Sequence, residues 1–298
     1  MFFLFVWHIC LYTPVAHITW NTRGFFKTNE IEDFSGGLVV HMTAGITAAA
    51  GHLFLDWIKA PKAEARRPAD PENLVFGAVL VWFLWFGINA GKSYAASEIT
   101  TQSMVNTIGG VTTSILTNYF LDGLFGIDVT DVTVVNSILL GLVATTPSSG
   151  YVTVGGSMVI SVITVLTVRI LGRYLLKESV DDTPYSIATL HGLGGSVAFI
   201  FTALISYVFI NPQGLNGLTY NEPKPIRHHV AAVLAMWICL FLSLLLGFAV
   251  TNLVVPLSKD RQSPKGDYAP TPLGPFGGSN PQPEPEQQPA AEEPVQNA

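Results

Sequence analysis

Asp33-Phe-Ser-Gly-Gly-Leu-Val-Val-His41, running on into Met42-Thr-Ala-Gly45, sets an imidazole deep inside a long apolar segment, roughly residues 36–57. Asp33 is a natural N-cap, because its carboxylate can accept the free N–H groups of the helix that follows. His41 lies eight residues on, about 12 Å further along the axis. A second stretch repeats the device with Asp181-Asp-Thr-Pro184 ahead of His191-Gly-Leu-Gly-Gly195. There Asp182 or Thr183 caps, Pro184 occupies the first turn where its missing N–H costs nothing, and His191 follows about 13.5 Å from Asp182.

The solvent of these segments is lipid. Of the residues, 49% are hydrophobic and only 12% charged, with a mean hydropathy of +0.42, which leaves too little polar material to coat a soluble globule. Eight apolar stretches are read as transmembrane helices, roughly 1–20, 36–57, 74–94, 102–125, 132–146, 151–176, 183–210 and 229–257. A helix crosses a hydrocarbon core with about 20 residues, so 132–146 is the short one. The expected fold class is all-α, a polytopic membrane protein of about eight transmembrane helices over residues 1–257. Residues 258–298, rich in Pro, Gly, Glu, Gln and Ala, have little to bury and are expected to form a disordered Pro-rich cytoplasmic tail. Cys10 and Cys239 are expected to be small buried hydrophobes, not a disulfide.

Charge sets the orientation. With the first helix starting inside, cytoplasmic segments hold ten of the fifteen Lys and Arg residues, so both termini are expected in the cytoplasm. The first helix alone prefers the reverse, since Arg23 and Lys27 follow it and no Lys or Arg precedes it, a conflict that points to missing upstream helices. In this topology His41 descends from outside and His191 rises from inside, so the rings converge near the bilayer centre. Gly37, His41, Gly45 and Ala49 share one face, as do His191, Gly195, Ala198 and Thr202, and small residues let helices approach closely in lipid. An intramembrane His is costly unless it pairs or lines a path. His8, His17, His52, His228 and His229, near helix ends or loops, are read as structural. No P-loop, H-E-x-x-H motif or dinucleotide fingerprint is present, so the chain is read as no enzyme, with no cofactor and no metal site. Its basic residues are scattered over loops and make no nucleic-acid patch.

The Asp33–Gly45 stretch resembles the signature of the ammonium transporter (Amt/Mep/Rh) superfamily. Further resemblances follow in family order: Pro14-Val-Ala-His-Ile-Thr-Trp20, Trp85-Phe-Gly-Ile-Asn-Ala-Gly91, Val105-Asn-Thr107, Gly141-Leu-Val-Ala-Thr-Thr-Pro147 with Gly150-Tyr151, and the His191 segment. The resemblance implies an inverted-repeat fold of eleven helices, of which this chain looks like helices four to eleven, lacking the first three. It implies a homotrimer, or a hetero-oligomer with full-length relatives, in the plasma membrane. Ammonium or ammonia would be the substrate, recruited at an outer vestibule by Trp20 and Asp33, deprotonated, and passed as ammonia along a hydrophobic pore lined by the twin histidines His41 and His191, potassium being refused because it has no proton to lose. The alternative is an ammonium sensor or a non-conducting subunit. The family usually has Phe and Ser where this chain has Ile88 and Lys92. Lys92 is expected to snorkel to the headgroups and leave Ser93 as a possible vestibule hydroxyl; if it stays, a like charge impairs recruitment.

Overall fold

The computed structural model describes residues 2–58, 71–172 and 187–254. The caps expected at Asp182 and Thr183 and the tail expected over 258–298 lie outside the described residues. All regular structure among the described residues is helical. Helix α1 joins Phe2–Trp7, a π-helical turn His8–Tyr12 and Thr13–Trp20. Then follow α2 (Gly37–Trp57), α3 (Pro71–Asn89), α4 (Glu98–Phe125), α5 (Asp131–Thr145), α6 (Val154–Leu171), α7 (Ala188–Ile205) and α8 (Lys224–Val254). Local chemistry starts several of them. Ser97 with Thr100, and Thr130 with Thr133, form capping boxes for α4 and α5, and the Thr153 side chain accepts from Gly156 N–H to open α6.

Six of the helices are long and apolar enough to cross a membrane. The other two are α5, the stretch read above as short, and α4, which reads as an ordinary span. α4 is 28 residues long but polar, because Ser103, Asn106, Thr107, Ser114, Asn118 and Asp122 are buried against its neighbours and never meet lipid. Asp122 is closed off by the Arg169 guanidinium of α6. α5 has 15 residues, too few to span alone. Its C-terminal end runs into the buried turn Thr146–Gly150, where Phe34 N–H donates to Pro147 O at 2.9 Å and Ser35 N–H to Thr146 O at 3.1 Å. Irregular backbone at this depth is tolerable only when protein satisfies it.

The surface is apolar in register. On α8, Leu234, Ile238, Leu242, Leu246 and Val250 recur at four-residue steps and face outward, while Ala232, Val233, Met236, Leu240 and Leu244 are buried. The inward set packs with Leu11 and Val15 of α1, Leu38, Met42 and Ile46 of α2 and Phe199 of α7. Cys10 and Cys239 are free thiols, as expected, but both are exposed on helix flanks and not buried in protein. Periodicity in a helix that is apolar all round does not say which face meets lipid.

Candidate functional site

His41 and His191 each sit in a π-helical turn, Gly37–Met42 opening α2 and Ala188–Leu193 opening α7. Such turns are rare and concentrate at functional sites. Their Nδ1 atoms are 3.0 Å apart and their ring centroids 5.1 Å apart. Glycine makes the approach possible. A Cβ on Gly45 would stand 2.1 Å from Gly192 N, and one on Gly195 would stand 2.9 Å from Gly37 O, so the small faces anticipated on the two helices do touch, backbone to backbone. The Trp85 indole stacks on the other side of His41, centroids 5.6 Å apart and planes 9° from parallel. His41 is buried and His191 half-buried.

One hydroxyl fixes the proton arrangement of a neutral pair. Thr146 has a single O–H, donated to Leu142 O at 2.7 Å, so its oxygen accepts from Trp85 Nε1–H at 3.1 Å and from His41 Nε2–H at 3.2 Å. His41 then carries its proton on Nε2 and offers a lone pair at Nδ1. The proton across the 3.0 Å gap therefore belongs to His191 Nδ1, which leaves His191 Nε2 with a free lone pair. Thr146 and Trp85 both stood in motifs quoted above, yet no role was read for either. The available signal was a hydroxyl pair, Thr145-Thr146, at the end of an apolar helix and just ahead of a proline.

At one end of the bundle Asp33 does what its position suggested, and more completely. Its Oδ1 accepts from Gly36 and Gly37 N–H at 3.1 and 2.6 Å, and its Oδ2 from Leu38 and Val39 N–H at 2.9 and 3.0 Å. Gly36 takes the left-handed conformation, φ 115°, that wraps the chain around this carboxylate. Burial pushes the Asp33 carboxyl above its usual range, and the four N–H donors offset only part of that rise. Trp20 Nε1–H donates to Asp33 O at 2.7 Å, tying the indole to the cap. The neighbouring Glu32 is treated in the opposite way. It is 2% exposed and neither carboxylate oxygen is held by a hydrogen bond, so burial holds it up at about 7 against the smaller opposing influences of the Leu215 backbone, the Lys27 charge and the Ser206 hydroxyl. His229 is a strut, as read: with Nδ1–H donating to Pro225 O at 2.9 Å, its Nε2 accepts from Glu32 N–H at 3.0 Å.

Lys92 departs from expectation. Its ammonium group does not extend outward but lies over the Trp20 ring, 3.8 Å from the centroid, with the Tyr94 ring at 5.5 Å. Ser93 lies beside it, its hydroxyl within 2.7–2.9 Å of Ala90 O in its own turn, of Ala95 O, and of Thr100 Oγ1 in the first turn of α4. Ile88 is exposed on α3.

Comparison with known proteins agrees with this architecture. The chain is similar to an ammonium transporter of Aquifex aeolicus, 32% identical over 235 residues that cover 78% of this chain and 54% of that protein. It is similar to ammonium transporter 1 of Dictyostelium discoideum, also at 32%, over 78% of this chain and 50% of the relative. The fold matches the crystal structure of Candida albicans Mep2 with a TM-score of 0.75 at 24% identity, covering 86% of this chain and 58% of that one. The chain thus spans about half the length of the curated relatives it matches. The profile of the Ammonium Transporter Family matches residues 1–269, and the chain belongs to that family, as an integral membrane protein.

Proposed function

We propose that this protein moves ammonium nitrogen across a membrane as ammonia, through the path on which His41 and His191 meet. The single observation that carries the reading is the 3.0 Å contact between their Nδ1 atoms, enclosed by Trp85 and by glycine-to-glycine helix contact. Two imidazoles at this depth present lone pairs and N–H groups to a small polar molecule but no fixed charge. Taking an intact ammonium ion through such a constriction strips its water at high cost, whereas ammonia loses little. The proton is given up at or below the mouth by Trp20 and Asp33, which we assign to the outer side on the Lys and Arg distribution. The same distribution puts the C-terminal tail, 258–298, in the cytoplasm, and the broad apolar flanks of α4 and α8 suit assembly into a homotrimer in the plasma membrane.

Uptake of methylammonium into cells that lack their own ammonium transport tests this. The His191→Ala variant is expected to lose about 5- to 140-fold of the wild-type rate, since a buried polar contact is worth about 1–3 kcal/mol and every 1.4 kcal/mol is tenfold. Equal uptake by both removes the pore role of His191. The placement of Lys92 on Trp20 favours a second reading, a sensor or non-conducting subunit. Ammonium binding by the purified chain without uptake selects that one.

A further inference from the structure

The recruiting face of Trp20 is already taken, and by a chemical twin of the substrate. Lys92 ends in a primary ammonium group, and that group sits 3.8 Å from the indole centroid, the position a free ammonium ion would seek. Among the described residues it makes no ion pair with a carboxylate, so its partners are the Trp20 and Tyr94 rings. Both sides of the contact are fixed. The indole is anchored by its N–H to Asp33 O. Lys92 belongs to the 3₁₀ turn Ala90–Ser93, which the Ser93 hydroxyl braces and which ends at Tyr94 in the left-handed region, φ 53°, a strained conformation for an aromatic residue.

Resting on the reading of Trp20 as the place of ammonium recruitment, we propose that Lys92 is a tethered competitor that sets the affinity of the mouth. A short tether holds its head at an effective concentration of about millimolar or more. Free ammonium below that range does not displace it, and the mouth fills only as external ammonium rises. A small neutral or hydroxyl side chain at position 92 leaves the ring face open at every concentration.

Titrating ammonium chloride, and in parallel methylammonium, into the full chain in lipid nanodiscs by calorimetry tests the proposal. Lys92→Met and Lys92→Ser are expected to bind about 2- to 30-fold more tightly than the wild type, the range a cation–π contact spans. Lys92→Arg, which keeps a cation able to stack on the ring, is expected to stay near the wild-type value. In a Trp20→Leu background Lys92→Met is expected to change nothing. Unchanged affinity in Lys92→Met and Lys92→Ser, while Trp20→Leu weakens binding, overturns the competitor role and leaves Trp20 as the recruiting residue. Absence of ammonium binding in every variant overturns the reading of Trp20, and the competitor with it.

Discussion

The histidine pair and the mouth above it are held together by different means. At the pair, helix backbones touch through Gly45 and Gly192, and side chains are oriented by packing, stacking and one shared hydroxyl. At the mouth, geometry comes from helix ends and turns: four N–H groups wrapped around Asp33, one indole N–H, and a lysine laid on an aromatic ring. The contrast teaches where tolerance lies. Backbone contact in lipid has no slack, because no water or side-chain rotamer can absorb an added atom. A mouth built from helix ends and turns can accept different side chains without disturbing the pair beneath it.

The sharpest way to break this contrast is Gly45→Val. Its side chain would meet the Gly192 backbone, which cannot yield, and we expect a loss of more than about 3 kcal/mol, seen as collapse of the melting transition in detergent. A near-normal melt refutes the claim that backbone contact sets the pair.

Within the mouth, burial raises both adjacent carboxyls, so both should favour the folded state more at acid than at neutral pH. Glu32 is held at about 7, above the range it has in an unfolded chain, so the folded state keeps its proton longer. Stability is then fully present below the ordinary carboxylate range, falls as pH rises, and is lost by the time pH passes about 7, a swing on the order of 3 kcal/mol. Melting followed from acid to neutral pH should show this slope, and Glu32→Gln should flatten it. An identical slope in the variant assigns the effect elsewhere.

Thr146→Val leaves Trp85 Nε1–H and His41 Nε2–H without their acceptor, at a cost of about 2 kcal/mol. It should also release the His41 tautomer, visible as a changed imidazole ¹⁵N spectrum. Retention of the wild-type spectrum removes Thr146 from the account of proton placement. The smallest effect is expected from Trp20→Phe, which keeps an aromatic face but loses the bond to Asp33 O, about 1 kcal/mol in the melt. A much larger loss would show that the mouth is as rigid as the pair.

Much of this was legible in the chain itself. Helix number and approximate bounds followed from apolar runs, the cap from Asp33 eight residues before His41, and the meeting of the histidines from helical rise in two oppositely inserted helices, supported by their glycine faces. What escaped was relational. Lys92 was expected to reach the headgroups because a long basic side chain at the end of an apolar run can snorkel, and nothing local shows that Trp20, seventy-two residues earlier, lies within its reach. Cys10 and Cys239 were misplaced because a helix apolar on every side carries no record of which face meets protein. The burial of Glu32 was equally hidden, since Ile31-Glu32-Asp33 reads as a polar loop and its enclosure comes from His229 and the segment around Gly214.

By itself the sequence determined that this chain lives in lipid, how many helices it makes, and that two imidazoles are delivered to similar depth, because hydropathy, capping and helical rise act within a single segment. Only the tertiary structure decided that the rings meet through Nδ1, which nitrogen of His41 holds its proton, and that a lysine covers the indole of the mouth. Those outcomes depend on distances between segments far apart in the chain, and no local rule encodes them.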